Sequence, residues 1–218
     1  MADRNLKMSN PQPEQAESVR LSNLTFDRPI PKAVRAYGKA LDLKILKPGD
    51  LLLFSKVSPS LIDRSIVKAQ SQSFAPQHAK WHHVAVSGGG VEICEATRAG
   101  VTACEYWHYM TGKHNIKLRR LKDCDAETRS LVAYYAAANV RTNYGYLNLL
   151  GLAKSLNSGN PWSKRSFYST GVTCSQLYFE ACMRAGFLLA NLPPEHVCPA
   201  HLSLSKQMED IPLEWVEV

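Results

Sequence analysis

Apolar positions along the chain fall into short runs and alternations separated by turn-forming residues. Leu51-Leu52-Leu53-Phe54 is a continuous apolar run behind the turn Lys47-Pro48-Gly49-Asp50, and it predicts a short buried strand. Leu61, Ile62, Ser65, Ile66 and Ala69 recur at helical spacing and predict a helix within 59–70. His83–Ser87 and Val91–Ala96 flank Gly88-Gly89-Gly90, so they predict the two strands of a hairpin. Val101–Ala103 and Asn115–Leu121 predict further strands. Asp123 or Asp125 is suited to cap a helix running to about Asn143, and a second helix is expected over Cys174–Ala185, with Gly186 as its C-terminal stop. A short helix is expected over 32–43, and a loop over 155–172, where Ser, Asn, Gly and aromatic residues dominate. Strands cluster in the middle and helices flank them, which argues for an α+β fold.

Length and composition narrow this picture. A chain of 218 residues, 45% apolar and 21% charged, suits one globular domain and excludes a disordered or collagen-like protein. Residues 1–31 are polar and hold Pro11, Pro13, Pro29 and Pro31, so 1–44 is set apart as an N-terminal arm or lead-in, and 45–218 as the domain proper. The formal charge of +7 invites an anionic partner, whether wall polymer, membrane surface or nucleic acid. Lys113 to Lys122 is the densest basic stretch, yet Ile116, Leu118 and Leu121 are interleaved there. That pattern fits a strand with one wet face, and no nucleic-acid partner is expected. The opening Met-Ala-Asp-Arg-Asn-Leu-Lys lacks the apolar stretch of a secretory signal, and nowhere do 18 apolar residues run together. The expectation is therefore synthesis in the cytoplasm, free thiols and no integral membrane segment.

Chemistry-bearing residues change the picture most. The cysteines at 94, 104, 124, 174, 182 and 198 include no CxxC pair, which excludes a zinc ribbon. Cys174 follows Gly171-Val172-Thr173 and opens the second helix, where the helix dipole and unpaired N–H groups favour a thiolate and an oxyanion. Position alone fits either a nucleophile or a small core residue. A nucleophilic cysteine needs a base, and His83 opens the best-defined strand; His82 should face the other way. Glu95, on the paired strand, is placed to orient His83, whereas Glu92 should face opposite. His78 and His82 are four apart, but Pro76 and the short segment argue against a helical metal pair. Tyr144, Tyr146 and Trp162 belong to aromatic stretches that suit either a substrate cleft or packing.

These residues resemble a known arrangement. Lys47-Pro48-Gly49-Asp50-Leu51-Leu52-Leu53-Phe54 resembles the opening of the circularly permuted NlpC-type, papain-like hydrolases, the YiiX-like group in particular. Trp81-His82-His83-Val84-Ala85-Val86 resembles that group's histidine strand, and Glu95-Ala96-Thr97 with Gly100-Val101 its following strand. Thr173-Cys174-Ser175-Gln176-Leu177 resembles its nucleophile helix, and Cys198-Pro199-Ala200-His201-Leu202 a stretch downstream. Gln176 and His201 depart from it, each standing where an acidic residue is common. The likeness spans roughly residues 45–205 and keeps the family's order, histidine before cysteine.

The resemblance implies a curved antiparallel sheet packed against the nucleophile-bearing helix, and a Cys174–His83–Glu95 site that needs no metal or organic cofactor. It implies cleavage of an acyl bond, foremost an amide in peptidoglycan stem peptides. The alternatives are ester or thioester cleavage or acyl transfer on lipids or acyl-proteins, and a binding module that has lost turnover. A wall hydrolase without a signal would reach its substrate as an antibacterial effector, delivered into another cell's periplasm by a specialised secretion system. Its producer would then need an immunity protein.

Overall fold

The computed structural model describes residues 30–145 and 171–218. It is an α+β fold built on a six-stranded antiparallel sheet in the order β5-β4-β3-β2-β6-β7. The strands are β2 (Leu51–Lys56), β3 (His83–Gly89), β4 (Glu92–Thr97), β5 (Gly100–Glu105), β6 (His114–Leu121) and β7 (Met208–Ile211). A separate two-stranded antiparallel ribbon joins β1 (Lys39–Leu41) to β8 (Trp215–Glu217). The helices are α1 (Lys32–Tyr37), α2 (Leu61–Gln70), α3 (Pro76–Ala79), α4 (Ala126–Ala137), α5 (Cys174–Arg184) and α6 (Pro199–Leu204). Among the described residues no helix is long and apolar enough to cross a membrane.

The sheet carries a core on each face. Leu51, Leu53, Val84, Val86, Cys94 and Ala96 pack with Val132 and Ala136 of α4 and with Leu177, Tyr178, Phe179 and Ala181 of α5. Leu52, Phe54, Ala85, Ile93 and Leu118 point the other way, against Val34, Leu41, Tyr106, Trp107 and Met110. Side chains alternate along a strand, so a strand covered on both faces must be apolar at every position. That is why the 51–54 run is continuous.

Three expectations needed correction. The helix expected over 32–43 stops at Tyr37, because Gly38 takes a left-handed conformation (φ 80) and its N–H closes the helix on Val34 and Arg35; the next residues form β1 instead. Val34, Ala40 and Leu41 are fully buried, so the described part of the lead-in, from Ile30, contributes to the core. The helix capped by Asp125 ends at Ala137 and does not reach Asn143. The chain beyond it turns back to bond with β5, Arg141 N–H to the Val101 carbonyl and Val101 N–H to the Thr142 carbonyl. Strands β7 and β8, both short and largely outside the core, were not foreseen. The loop expected over 155–172 lies mostly outside the described residues.

Candidate active site

Cys174 is the first residue of α5, and the sequence fixes that start. Thr173 caps the helix, its Oγ1 accepting the Gln176 N–H at 3.3 Å. At the far end, Gly186 N–H bonds to the Met183 carbonyl and Phe187 N–H to that of Cys182, a paired closure that terminates the helix after Arg184. Cys174 thus occupies the first turn, where N–H groups have no helical partner. Upstream, the Val172 N–H donates to the Asn143 carbonyl and the Gly145 N–H to that of Val172, both at 3.0 Å. Gly171 permits this approach, since a Cβ there would press into the backbone of Asn143 and Tyr144.

The Pro48-Gly49-Asp50 turn holds the helix against the sheet. The Tyr178 hydroxyl donates to the Gly49 carbonyl at 3.1 Å. Asp50, fully buried, accepts Arg120 Nε on Oδ1 at 2.8 Å and Arg120 Nη2 on Oδ2 at 2.7 Å, and the Lys47 N–H joins Oδ2 at 2.8 Å. A bidentate guanidinium–carboxylate pair of this kind fixes direction as well as distance. Gln70, also fully buried, donates to the carbonyls of Ala79 and Trp81 and accepts the Ala200 N–H. It therefore sets the chain that leads into β3.

His83 opens β3, and its Nε2 lies 2.6 Å from Glu95 Oε2. Cys174 is within side-chain hydrogen-bond reach of the same imidazole, and with Nε2 engaged, Nδ1 is the nitrogen left for the thiol. Burial alone would lower the imidazole's proton affinity. The Cys174 sulfur and the Glu95 carboxylate outweigh it and raise His83 to about 10. Glu95 shows the mirror effect: burial pushes it up, but hydrogen bonds from His108, His83 and Tyr109 hold it well below the usual carboxylate range. An anionic carboxylate behind a cationic imidazole beside a thiol is the charge pattern of an ion-paired cysteine nucleophile.

The sequence expectations for Cys174, His83 and Glu95 converge in one place. Tyr144 is close by, bridged to Val172, and it packs against the core under α5. Tyr146 and Trp162 lie outside the described residues. His82 faces away, as strand alternation requires: its Nε2 accepts the Lys56 N–H at 2.9 Å and its Nδ1 lies 3.5 Å from Asp63 Oδ1. Burial outweighs Asp63 there and lowers His82 to about 4, so the ring is neutral and structural. His78 Nδ1 lies 3.0 Å from Ser203 Oγ.

One participant was missed. The Tyr109 hydroxyl donates to Glu95 Oε2 at 2.5 Å, and its ring stacks on Phe54 with centroids 3.6 Å apart. The available signal was Tyr106-Trp107-His108-Tyr109, an aromatic cluster behind a strand, since a buried tyrosine hydroxyl needs a partner. No protein-family model matches the chain, and no curated protein matches it.

Proposed function

We propose that the protein is a cysteine hydrolase of the permuted papain-like, NlpC-type arrangement, with Cys174 as nucleophile, His83 as base and acid, and Glu95 as the group that orients His83. The observation that carries this reading is the position of His83, with Glu95 at 2.6 Å from Nε2 and the Cys174 side chain within hydrogen-bond reach of the same imidazole. In the reaction, the Cys174 thiolate attacks an acyl carbon while N–H groups at the start of α5 steady the oxyanion. His83 then gives its proton to the leaving amine. Water, deprotonated by His83, hydrolyses the thioester and returns the thiol. Glu95 stays ionised throughout and holds the imidazole in one orientation.

The proposed substrate is the amide backbone of peptidoglycan stem peptides, an anionic polymer matched to a chain of net charge +7. In this reading the protein works as an effector delivered to another cell's periplasm. The test is digestion of purified peptidoglycan, phospholipid vesicles and an acyl-thioester side by side, with Cys174→Ala as control. New muropeptides from the wild type alone are expected, with mass spectrometry locating the bond. Cleavage confined to vesicles or thioester moves the substrate to lipids or acyl-proteins. No turnover of any of them leaves a binding module.

A further inference from the structure

The two oxygens of Glu95 face different neighbours. Oε2 takes His83 and Tyr109. Oε1 has Cys104 Sγ at 3.4 Å and His108 Nε2 at 3.5 Å. The ligand atoms of Glu95, Cys104 and His108 all lie within 4.8 Å of one another.

Rigid elements set this convergence. Ile93 pairs with Cys104 and Glu95 with Thr102 across β4 and β5, so Cys104 sits diagonally from Glu95 on the same face. His108 belongs to the 3₁₀ turn Tyr106–Tyr109 that directly follows β5. Its Nδ1 lies 2.9 Å from the Glu105 carbonyl oxygen. A carbonyl only accepts, so Nδ1 donates to it, and Nε2 is the nitrogen turned toward Glu95 Oε1. An imidazole whose far nitrogen is tied to a backbone carbonyl is also the usual form of a metal-ligating histidine.

We propose that Glu95 Oε1, Cys104 Sγ and His108 Nε2 form a binding site for a thiophilic divalent cation of the Zn²⁺ class. One sulfur, one imidazole nitrogen and one carboxylate oxygen match the donor preferences of Zn²⁺, with water completing a tetrahedron. Carboxylate and thiolate together cancel the ion's two charges. Binding replaces the Cys104 S–H bond with an S–metal bond and releases that proton to solvent. Glu95 is buried, whereas the His108 side chain is 49% exposed and gives the ion a way in from water. The cation would share one carboxylate with His83, coupling the two sites, but its binding does not depend on the hydrolase reading.

The test is a Co²⁺ titration of the full chain carrying Cys174→Ala, which removes the nucleophile as a rival sulfur ligand. The expected result is a thiolate-to-cobalt charge-transfer absorption that saturates at a single equivalent and is displaced by Zn²⁺. Adding Cys104→Ser should abolish that absorption, and adding His108→Ala should weaken Co²⁺ binding at least about tenfold. Thermal unfolding of each variant establishes that it is folded; if Cys104→Ser is not, the partly exposed His108 carries the test. Absent absorption in the Cys174→Ala protein, absorption that survives loss of Cys104, or binding unchanged without His108 overturns the proposal.

Discussion

Tyr109 and His83 donate to the same oxygen of Glu95, at 2.5 and 2.6 Å. A buried carboxylate with two donors on one oxygen cannot swing, so Tyr109 acts as a positioning residue for the imidazole. Tyr109→Phe keeps the ring stacked on Phe54 and removes only the hydroxyl. A hydrogen bond to a charged group contributes about 1.5–3 kcal/mol, so a fall in kcat of roughly tenfold or more is expected, with KM little changed. The alkaline limb of the pH–rate profile should also move to higher pH, because Glu95, relieved of a competing donor, draws more strongly on the His83 proton. A change in KM alone would remove Tyr109 from this role.

Thiol reactivity should single out Cys174. Burial pushes Cys94 up to about 11 and Cys104 and Cys198 up to about 12, and it raises Cys182 and Cys124 as well. At neutral pH these five are thiols, and the thiolate is the nucleophile. Iodoacetamide at pH 7, followed by peptide mapping, should therefore modify Cys174 first, and His83→Ala should slow that modification. Labelling of Cys174 no faster than the others would contradict an activated nucleophile.

Stability should decline on acidification in two windows. Burial lowers His82 and His201 to about 4, from an ordinary 6.5, so the unfolded chain binds more protons between those values. Their contribution is complete above pH 6.5 and is lost as pH falls toward 4. Asp63 is opposed by burial but held down to about 2 by Lys56 and Ser60, against an ordinary 3.8. Its contribution is lost as pH falls from 3.8 toward 2. Melting temperatures measured from pH 7 downward should drop steadily through the first window; a flat profile between pH 6.5 and 4 would count against the buried neutral histidines.

Asp50→Ala should destabilise the fold strongly. It leaves the Arg120 guanidinium, 19% exposed at its side chain, facing the space where its carboxylate partner stood. Breaking one side of such a buried pair costs about 3–5 kcal/mol. Denaturant unfolding measures it, and a loss below about 1 kcal/mol would show that Asp50 does not anchor the turn beneath Tyr178.

Local signals made much of this architecture legible before the structure. Leu51–Phe54 reads as a strand because nothing in it is polar, and Cys174 reads as a helix start because the helical segment it opens runs to Gly186, its C-terminal stop. His83 and Glu95 were paired through the glycine turn between their strands, a short-range inference. Tyr109 was not legible, because its partner is set by how the 3₁₀ turn after β5 folds back over β4. The end of α4 was hidden for a related reason: Asn139, whose Nδ2 donates to the Tyr135 carbonyl, is a weak stop signal in an Ala-rich run, and bonds to β5 decide where the chain turns. Strand β7 carries Glu209 and Asp210, and it becomes a strand through pairing with Arg119 and Arg120 of β6, a contact about ninety residues away in sequence.

Strand β1 pairs with β8, Lys39 opposite Glu217, and the Val218 N–H reaches the Gly38 carbonyl. The last described residues therefore lie beside the short helix α1, and a modest linker would join them into a ring. Such a ring, reopened in the connection between β6 and α4, would keep the pairing of the eight described strands. It would, however, read Cys174 first and His83 afterwards. The order of Cys174 and His83 along the polypeptide is thus a matter of where the ring is cut, and a re-cut chain of this kind that still folds would separate what the site requires from what its gene order happens to be.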